Sequence, residues 1–520
     1  MKLITPSMMK EWEGNIFSQY GIPSFLFMEQ AGASLFRFIK DRVKLDYTKK
    51  IAVISGKGNN GGDGIVCARY LMEAGYDVTL FALFEGLPKG EDAKLNFEFY
   101  KKSGGRVYHI SEDLISEFKE RIKIYSFIVD AILGIGVKRE VDGLYKEIIQ
   151  IVNKMEVPVL SVDTPSGVDL SNGKVLGSAI KATYTITFGI PKIGLYVYPG
   201  RYFAGEVFVE KVGFPSKDIQ KFKTDDLLID ENMVLSIFPK RIPWGHKGTF
   251  GKVLTISGSK GLTGAAYLAS MGVLKAGGGL SYLVIPESLD GQIKSMTPEI
   301  ITIPVEEKDG HIAYNAYDDI MKKIDDVDAF VIGPGLGISE GVKRLVYAII
   351  SDSNKPFVLD ADGINTISHN PEVLNDVKVP FVITPHPGEL GRILDLPAHK
   401  VDEDRVDIAK EVSKKYKNMV LVLKGATTIV AKDGISYYNI TGNSGMATAG
   451  SGDVLSGIIG AFLGKGIGVV ESSILGVYVH GKSGDMAASY KGESGIIATD
   501  LLAYLPYVLK TIEEEKNDRF

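Results

Sequence analysis

"IAVISGKGNNGGDGIVCARYLMEAG", residues 51–75, holds three patterns in one run. "IAVIS" is a continuous β-branched stretch of strand length, "GKGNNGGDG" (Gly56–Gly64) is a glycine-spaced loop, and "GIVCARYLMEAG" has apolar residues at helical spacing. A continuously apolar strand running into a helix belongs to a parallel sheet covered on both faces. The alternation continues: "DVTLFAL", "FIVDAIL", "VPVLSVD" and "YTITFG" read as strands, and "GLYKEIIQIVNKM" reads as a helix between them. Glycine loops and aspartates fall at the strand ends, in "SGKGNNGGDG", "DAILGIG" and "DTPSGVD". In such sheets ligands collect at the carboxyl ends of the strands.

The pattern breaks in "VGFPSKDIQKFKTDDLLIDENMV", which is polar and charged, and then restarts with "GKVLTISGS", "LSYLVIP", "AFVIGPGLG", "PFVLDAD", "PFVITPHPGE" and "MVLVLKGATTIV". The chain therefore reads as α/β with two domains, residues 1–215 and 226–520, joined by a linker at 216–225. Its 520 residues exceed what one core usually supports. A net charge of −5 gives no electrostatic footprint for nucleic acid or an anionic membrane surface. A single cysteine, Cys67, allows no intrachain disulfide and reads as a buried structural thiol in a helix. The opening residues lack an apolar leader core, and Thr5–Pro6 reads as a helix cap and first helical residue. With no uncharged run of membrane length, the expectation is a soluble, cytoplasmic protein.

Some motifs mislead. "GKGNNG" satisfies the dinucleotide-binding pattern G-x-G-x-x-G, but it continues into two carboxamides and Asp63, groups suited to hydrogen bonding and ion coordination. "GVYVHGKS" (Gly476–Ser483) formally matches a phosphate loop, yet its apolar spacing is helical and its bulky residues would not cradle a phosphate. His480 within it reads as a packed or capping histidine. Seven histidines and one cysteine offer no zinc spacing, and no serine-hydrolase elbow is present.

"TGNSGMATAGSGD", Thr441–Asp453, runs into the helical "VLSGIIGAFLG". Such a loop-to-helix junction is an anion site, so a carboxylate at its end suggests a general base beside a phosphate. Together with "ITPHPGE", "GPGLG", "LDADGIN" and "LKGATTIV", this stretch resembles the NAD(P)H-hydrate dehydratase branch of the ribokinase-like fold, an αβα architecture, over about residues 226–520. That resemblance implies dehydration of hydrated NADH or NADPH driven by ADP or ATP, with transient phosphorylation of the hydroxyl. It implies Asp453 as the base contacting the hydrate, and Ala265, Gly335 and His386 as further hydrate contacts. Lys424, Gly425, Ala426, Thr427, Thr428 and Gly452 would bind the nucleotide, with magnesium. Thr448 and Ala449 stand where many relatives have a basic residue and a glycine, which bears on the nucleotide contacts.

"LFMEQAG", "GKGNNGGDG", "VDAILGIG" and "VDTPSG" resemble the NAD(P)H-hydrate epimerase family, a Rossmann-like three-layer αβα domain, over about residues 1–215. Gln30 stands where that family commonly has asparagine. The resemblance implies hydrate binding by Asn59, Asn60, Gly61, Gly62 and Asp63, by Gly134, Ile135, Gly136, Val137, Lys138, Arg139 and Glu140, and by Asp163 at the reacting ring. Asp163 would serve in acid–base chemistry or in binding only. Asn60, Asp130 and Ser166 would hold potassium, which oxygen-only ligands suit; from spacing alone Asp130 reads as a cap at a strand end. A homo-oligomer, tetramer or larger, is expected. The alternatives are a small-molecule kinase of the vitamin-precursor type fused to a Rossmann-like binding module, and a non-catalytic nucleotide sensor.

Overall fold

The computed structural model describes residues 1–137 and 139–519. By contact density the chain divides into one unit of Lys2–Asp226 and a second from Leu227 onward that includes Met1.

The N-terminal unit holds β1 (Lys50–Ser55), β2 (Asp77–Ala82), β3 (Arg106–His109), β4 (Phe127–Ala131), β5 (Val159–Val162), β6 (Tyr184–Phe188) and β7 (Glu206–Glu210). They form one sheet in the order β3-β2-β1-β4-β5-β6-β7, with every neighbouring pair parallel. Alternate residues of β1 enter different cores, because successive side chains of a strand point to opposite faces. Ile51 and Val53 pack with Ile65, Cys67 and Leu71 of the Asn59–Glu73 helix. Ala52 and Ile54 pack with Phe118, Ile148, Ile149 and Val152 on the other side. These two cores make three layers. Cys67 is fully buried. The first helix, Pro6–Tyr20, begins as its sequence suggests, with the Thr5 hydroxyl accepting from Met8 N at 3.4 Å.

β3 and β7, which sequence patterning passes over, are the two edge strands. Their residues are half-buried or exposed, so they lack the continuous apolar run of the central strands. The stretch expected as a linker is also structured. Ser216–Lys221 is a helix of the N-terminal unit, Ile219 and Phe222 pack on that unit's core, and the Tyr20 hydroxyl donates to Asp218 at 2.7 Å. Two apolar residues among so many charges leave only a faint pattern.

The second unit contains β8 (Asp226–Leu228), within which the division falls, then β9 (Lys252–Ile256), β10 (Leu280–Pro286), β11 (Ile301–Val305) and a small pair, β12 (Glu307–Lys308) with β13 (His311–Ile312). β14 (Ala329–Ile332), β15 (Phe357–Leu359), β16 (Phe381–Ile383), β17 (Met419–Leu423), β18 (Thr428–Lys432) and β19 (Ile435–Asn439) follow. Its main sheet runs β11-β10-β9-β14-β15-β16-β17-β18-β19-β8. It is parallel from β11 to β17, then antiparallel through β18 and β19. Val253, Val331, Val358, Val382 and Val420 share a core with the Ser451–Gly464 and Val469–Lys491 helices. Phe330, Phe357 and Phe381 stack in sequence on the opposite face, with ring centroids 4.9 and 5.1 Å apart. "GVYVHGKS" lies within the Val469–Lys491 helix and is no phosphate loop. Among the described residues, no helix is long and apolar enough to cross a membrane.

Candidate active sites

In the N-terminal unit the chain runs from β1 to β2 on one side of the sheet and from β4 to β5 on the other, so the crevice between β1 and β4 is a topological switch point. The loops after these two strands come close together: a Cβ on Gly56 would lie 1.9 Å from Ile132 O. The loop after β1 is shorter than its glycines suggest. The helix starts at Asn59, so Asn59 to Asp63 form its first turn. A cavity of about 890 Å³ opens here, lined by Asn59, Asn60 and Asp63 from this turn and by Gly134, Ile135, Gly136, Val137, Arg139 and Glu140 from the loop after β4. Gly61 and Gly62 are buried behind it, and Lys138 lies outside the described residues.

Asp163 lines the same cavity. Its backbone has φ +60, a left-handed conformation that non-glycine residues seldom adopt outside turns and functional sites. Its Oδ1 accepts from Lys192 Nζ at 2.6 Å, Thr187 Oγ1 at 2.9 Å and Phe188 N at 3.0 Å. Lys192 is 1% exposed. Two more carboxyls stand close by. Glu13 is pushed up to about 7, chiefly by burial, with Lys192 opposing and Asp163 adding. Asp63 is held well above the usual carboxylate range by burial and then by Asp163 and Glu13. Glu13 was not found from sequence, since it stands on a helix outside any loop motif; Lys192 was missed although it follows β6 between Gly189 and Gly194, where the strand-end loop is the signal.

Asn60 and Ser166 meet at Leu133, and Asp130 is linked to them through Ser166. Asn60 Nδ2 donates to Leu133 O at 3.1 Å, and Leu133 N donates to Ser166 Oγ at 2.9 Å. Asp130 is fully buried and accepts from Ser161 Oγ at 2.8 Å, Ser166 N at 2.9 Å, Ser166 Oγ at 2.5 Å and Ile132 N at 3.3 Å. These donors are all neutral, and burial raises the Asp130 carboxyl against them. A buried carboxylate beside a serine hydroxyl and a peptide carbonyl fits a hard cation.

The second site is built around Lys424, the residue after β17. Lys424 Nζ lies 2.9 Å from Asp360 Oδ1 and 3.8 Å from Glu389 Oε2. Its backbone N donates to Pro385 O at 2.9 Å. Pro385 opens a capped turn: Gly388 N and Glu389 N donate to His386 Nδ1 at 3.0 and 3.3 Å, and His386 N donates to Glu389 Oε2 at 2.8 Å. Burial, with Lys424 and Arg392 nearby, keeps His386 below its ordinary value, which suits a neutral acceptor. Gly452 opens the helix Ser451–Gly464, and a Cβ on it would lie 3.2 Å from Lys424 Nζ. Asp453, next along, is pushed up to about 7, first by burial and then by Asp360; Lys424 opposes, while Asp362 and Glu389 add.

Two of the expected hydrate contacts, Gly335 and Ala265, are neighbours. Gly335 has φ +61, and a Cβ there would lie 2.9 Å from Ala265 Cβ. Asp362 Oδ2 accepts from Gly337 N at 2.9 Å, which ties this loop to the carboxylates around Asp453. Gly425 and Ala426 are exposed at the tip after β17, Thr427 is buried, and Thr428 Oγ1 donates to Gly425 O at 3.0 Å. Behind the tip the buried Arg405 guanidinium donates to Thr427 O and to Lys424 O. His480 is a packed histidine, its Nε2 2.9 Å from Ser451 O, and burial holds it down to about 4. Among the described residues no group of three or more His, Cys, Asp or Glu is placed to hold a metal. Asp360 Oδ2 is buried with no hydrogen-bond partner. One or two carboxylates completed by phosphate oxygens is the way magnesium is usually held.

Fold and sites together define a two-domain α/β protein with one site at the strand ends of each sheet. Residues 253–507 match the family described as NAD(P)H-hydrate dehydratase, and residues 25–194 match the family described as YjeF-related protein N-terminus. The bifunctional NAD(P)H-hydrate repair enzyme Nnr of Moorella thermoacetica is 39% identical over 99% of this chain and 98% of its own. That of Thermofilum pendens is 37% identical over 99% and 97%. Among solved structures, the ADP/ATP-dependent NAD(P)H-hydrate dehydratase from Bacillus subtilis co-crystallised with ATP/Mg2+ is 28% identical, with a TM-score of 0.46, covering 55% of this chain and 99% of that one. The chain belongs to the family of bifunctional NAD(P)H-hydrate repair enzymes.

Proposed function

We propose that the N-terminal unit interconverts the R and S epimers of hydrated NADH or NADPH, and that the second unit dehydrates the S epimer back to reduced cofactor at the expense of ADP or ATP. The observation that carries this reading is a cluster of site groups in each of two units, in a chain whose relatives are named as bifunctional over nearly its whole length.

In the second unit Asp453 accepts the proton of the hydrate hydroxyl as that oxygen attacks the terminal phosphate of the nucleotide. The phosphate leaves the nucleotide and the hydroxyl becomes a good leaving group. The ring nitrogen's electron pair then expels it, and loss of a ring proton restores the double bond. A carboxyl pushed up to about 7 suits a base working near neutral pH. Lys424 and the helix start at Gly452 place positive charge at the phosphates, with Gly425 to Thr428 against the rest of the nucleotide. Ala265, Gly335 and His386 contact the hydrate. Magnesium brought with the nucleotide would neutralise phosphate charge beside Asp360 and Glu389.

In the N-terminal unit Asn59 to Asp63 and Gly134 to Glu140 hold the dinucleotide, with Asp163 at the reacting ring. Asn60, Asp130 and Ser166 would hold potassium, which would supply the positive charge that the neutral donors around the Asp130 carboxylate do not. The reading includes a cytoplasmic homo-oligomer of four or more chains, checked by light scattering. The deciding experiment is incubation of the purified protein with an epimer mixture of hydrated NADH, with and without ADP or ATP. Both epimers should return to reduced cofactor when nucleotide is present. Accumulation of a phosphorylated product would instead make the second unit a kinase.

A further inference from the structure

Epimerisation through ring opening has a two-sided proton demand. The hydroxyl must lose its proton as the carbon–oxygen bond becomes a carbonyl. The bond from that carbon to the ring nitrogen breaks, its electron pair goes to the nitrogen, and a proton must arrive there. Rotation of the free aldehyde and reclosure on its other face reverse both transfers. No electron is gained or lost overall. One carboxylate cannot conveniently serve both atoms at once, because one transfer needs an empty acceptor and the other a loaded donor.

The cavity at the β1–β4 crevice holds carboxyls in contrasting settings. Asp163 has Oδ1 occupied by three donors, the Lys192 ammonium, the Thr187 hydroxyl and the Phe188 peptide N–H. Glu13 lines the same cavity but has no hydrogen-bond or ion-pair partner within bonding distance among the described residues. Its helix is pinned by the buried Met9, Trp12 and Ile16, and the Trp12 ring lies 4.8 Å from that of Phe214, another residue of the cavity wall. Glu13 is therefore fixed in place yet uncommitted. Burial pushes its carboxyl up to about 7, so near neutral pH a substantial fraction carries a proton. Two carboxyls lining one cavity, one engaged by three donors and the other without a partner, are placed for opposite halves of a proton exchange.

We propose that Glu13 is a catalytic residue of the N-terminal unit, donating the proton to the ring nitrogen while Asp163 accepts that of the hydroxyl. This rests on reading the unit as an epimerase. The test is exchange between separated R and S hydrates, followed chromatographically on the full chain. Glu13→Gln should lower kcat for exchange by about 10² to 10⁴-fold, with KM for the hydrate changed less than about threefold and nucleotide-driven dehydration of the S epimer unchanged. Glu13→Asp should fall between. Glu13→Ala should regain part of the lost rate on adding acetate, which a purely structural role would not allow. Exchange by Glu13→Gln within about tenfold of the parent, or no acetate rescue of Glu13→Ala, overturns the assignment. Absence of exchange in the unmodified protein overturns the epimerase reading itself.

Discussion

Asp453 poses the residue-scale problem of a carboxylate at a helix start that should attract anions. Its burial beside Asp360, Asp362 and Glu389 pushes its carboxyl up to about 7, so near neutral pH it is divided between acid and base forms. If it is the base, nucleotide-driven dehydration rises with pH through about 7 and flattens above. Asp453→Asn should lower that rate by about 10² to 10⁴-fold, leaving nucleotide affinity by calorimetry equal or tighter and epimer exchange unchanged. A loss under tenfold, or a collapse of nucleotide affinity, would remove Asp453 from the role. The same shift bears on stability. A carboxyl whose folded value is raised contributes stability below its unfolded value, near 4, and loses that contribution as pH rises towards 7. Asp453→Asn should therefore raise the melting temperature at pH 8 more than at pH 4, where both chains carry a neutral group.

At this scale the sequence was legible where residues sit inside patterned loops and mute where they do not. Asn60, Asp130 and Ser166 are far apart in sequence; Asn60 and Ser166 meet at Leu133, and Asp130 joins them through Ser166. Asp360 and Glu389 lie inside quoted motifs, but their service to Lys424 depends on how β15, β16 and β17 adjoin, which no local spacing records. Glu13 carries no motif, and Lys192 sits in the loop after β6, whose glycines alone did not mark it.

The element that positions the N-terminal site is the turn from β1 into the Asn59–Glu73 helix. At Gly56 and Gly61 other backbone occupies the space a side chain would need. A Cβ on Gly61 would sit 1.9 Å from Gly56 O and 2.7 Å from Ser55 Oγ. Gly61→Ala should destabilise this unit by about 1–3 kcal/mol, as overpacking does, and should disturb epimer exchange while dehydration persists. Denaturation that leaves the unit as stable as before would mean the turn is looser than this contact implies. Central strands were readable because burial on both faces makes them continuously apolar. β3 and β7 were not, since an edge strand with one wet face carries polar residues that blur into loop.

For the whole molecule, two sheets with separate cores follow from one alternation that breaks and restarts, and this was visible in composition. The exact division was not, because Ser216–Lys221 hides two packed apolar residues among charges. A piece ending at Asp226 should fold and exchange epimers without nucleotide. One ending at Pro215 loses Ile219, Phe222 and the Tyr20–Asp218 bond, and should melt lower. Equal melting temperatures would show that the terminal helix adds nothing.

The single cysteine has a practical meaning for a protein that handles damaged redox cofactors. Cys67 is sealed in the core between β1 and its helix, and burial lifts its thiol well above the usual range, so almost none of it is thiolate. Thiolate is the form that peroxide and alkylating agents attack. The folded chain should thus resist maleimide and hydrogen peroxide, and react once unfolded in denaturant. Rapid labelling of the native protein would show that the core opens there. If it stays silent, a cysteine placed anywhere on the surface becomes a unique handle for a fluorescent or spin probe, with no background to remove first.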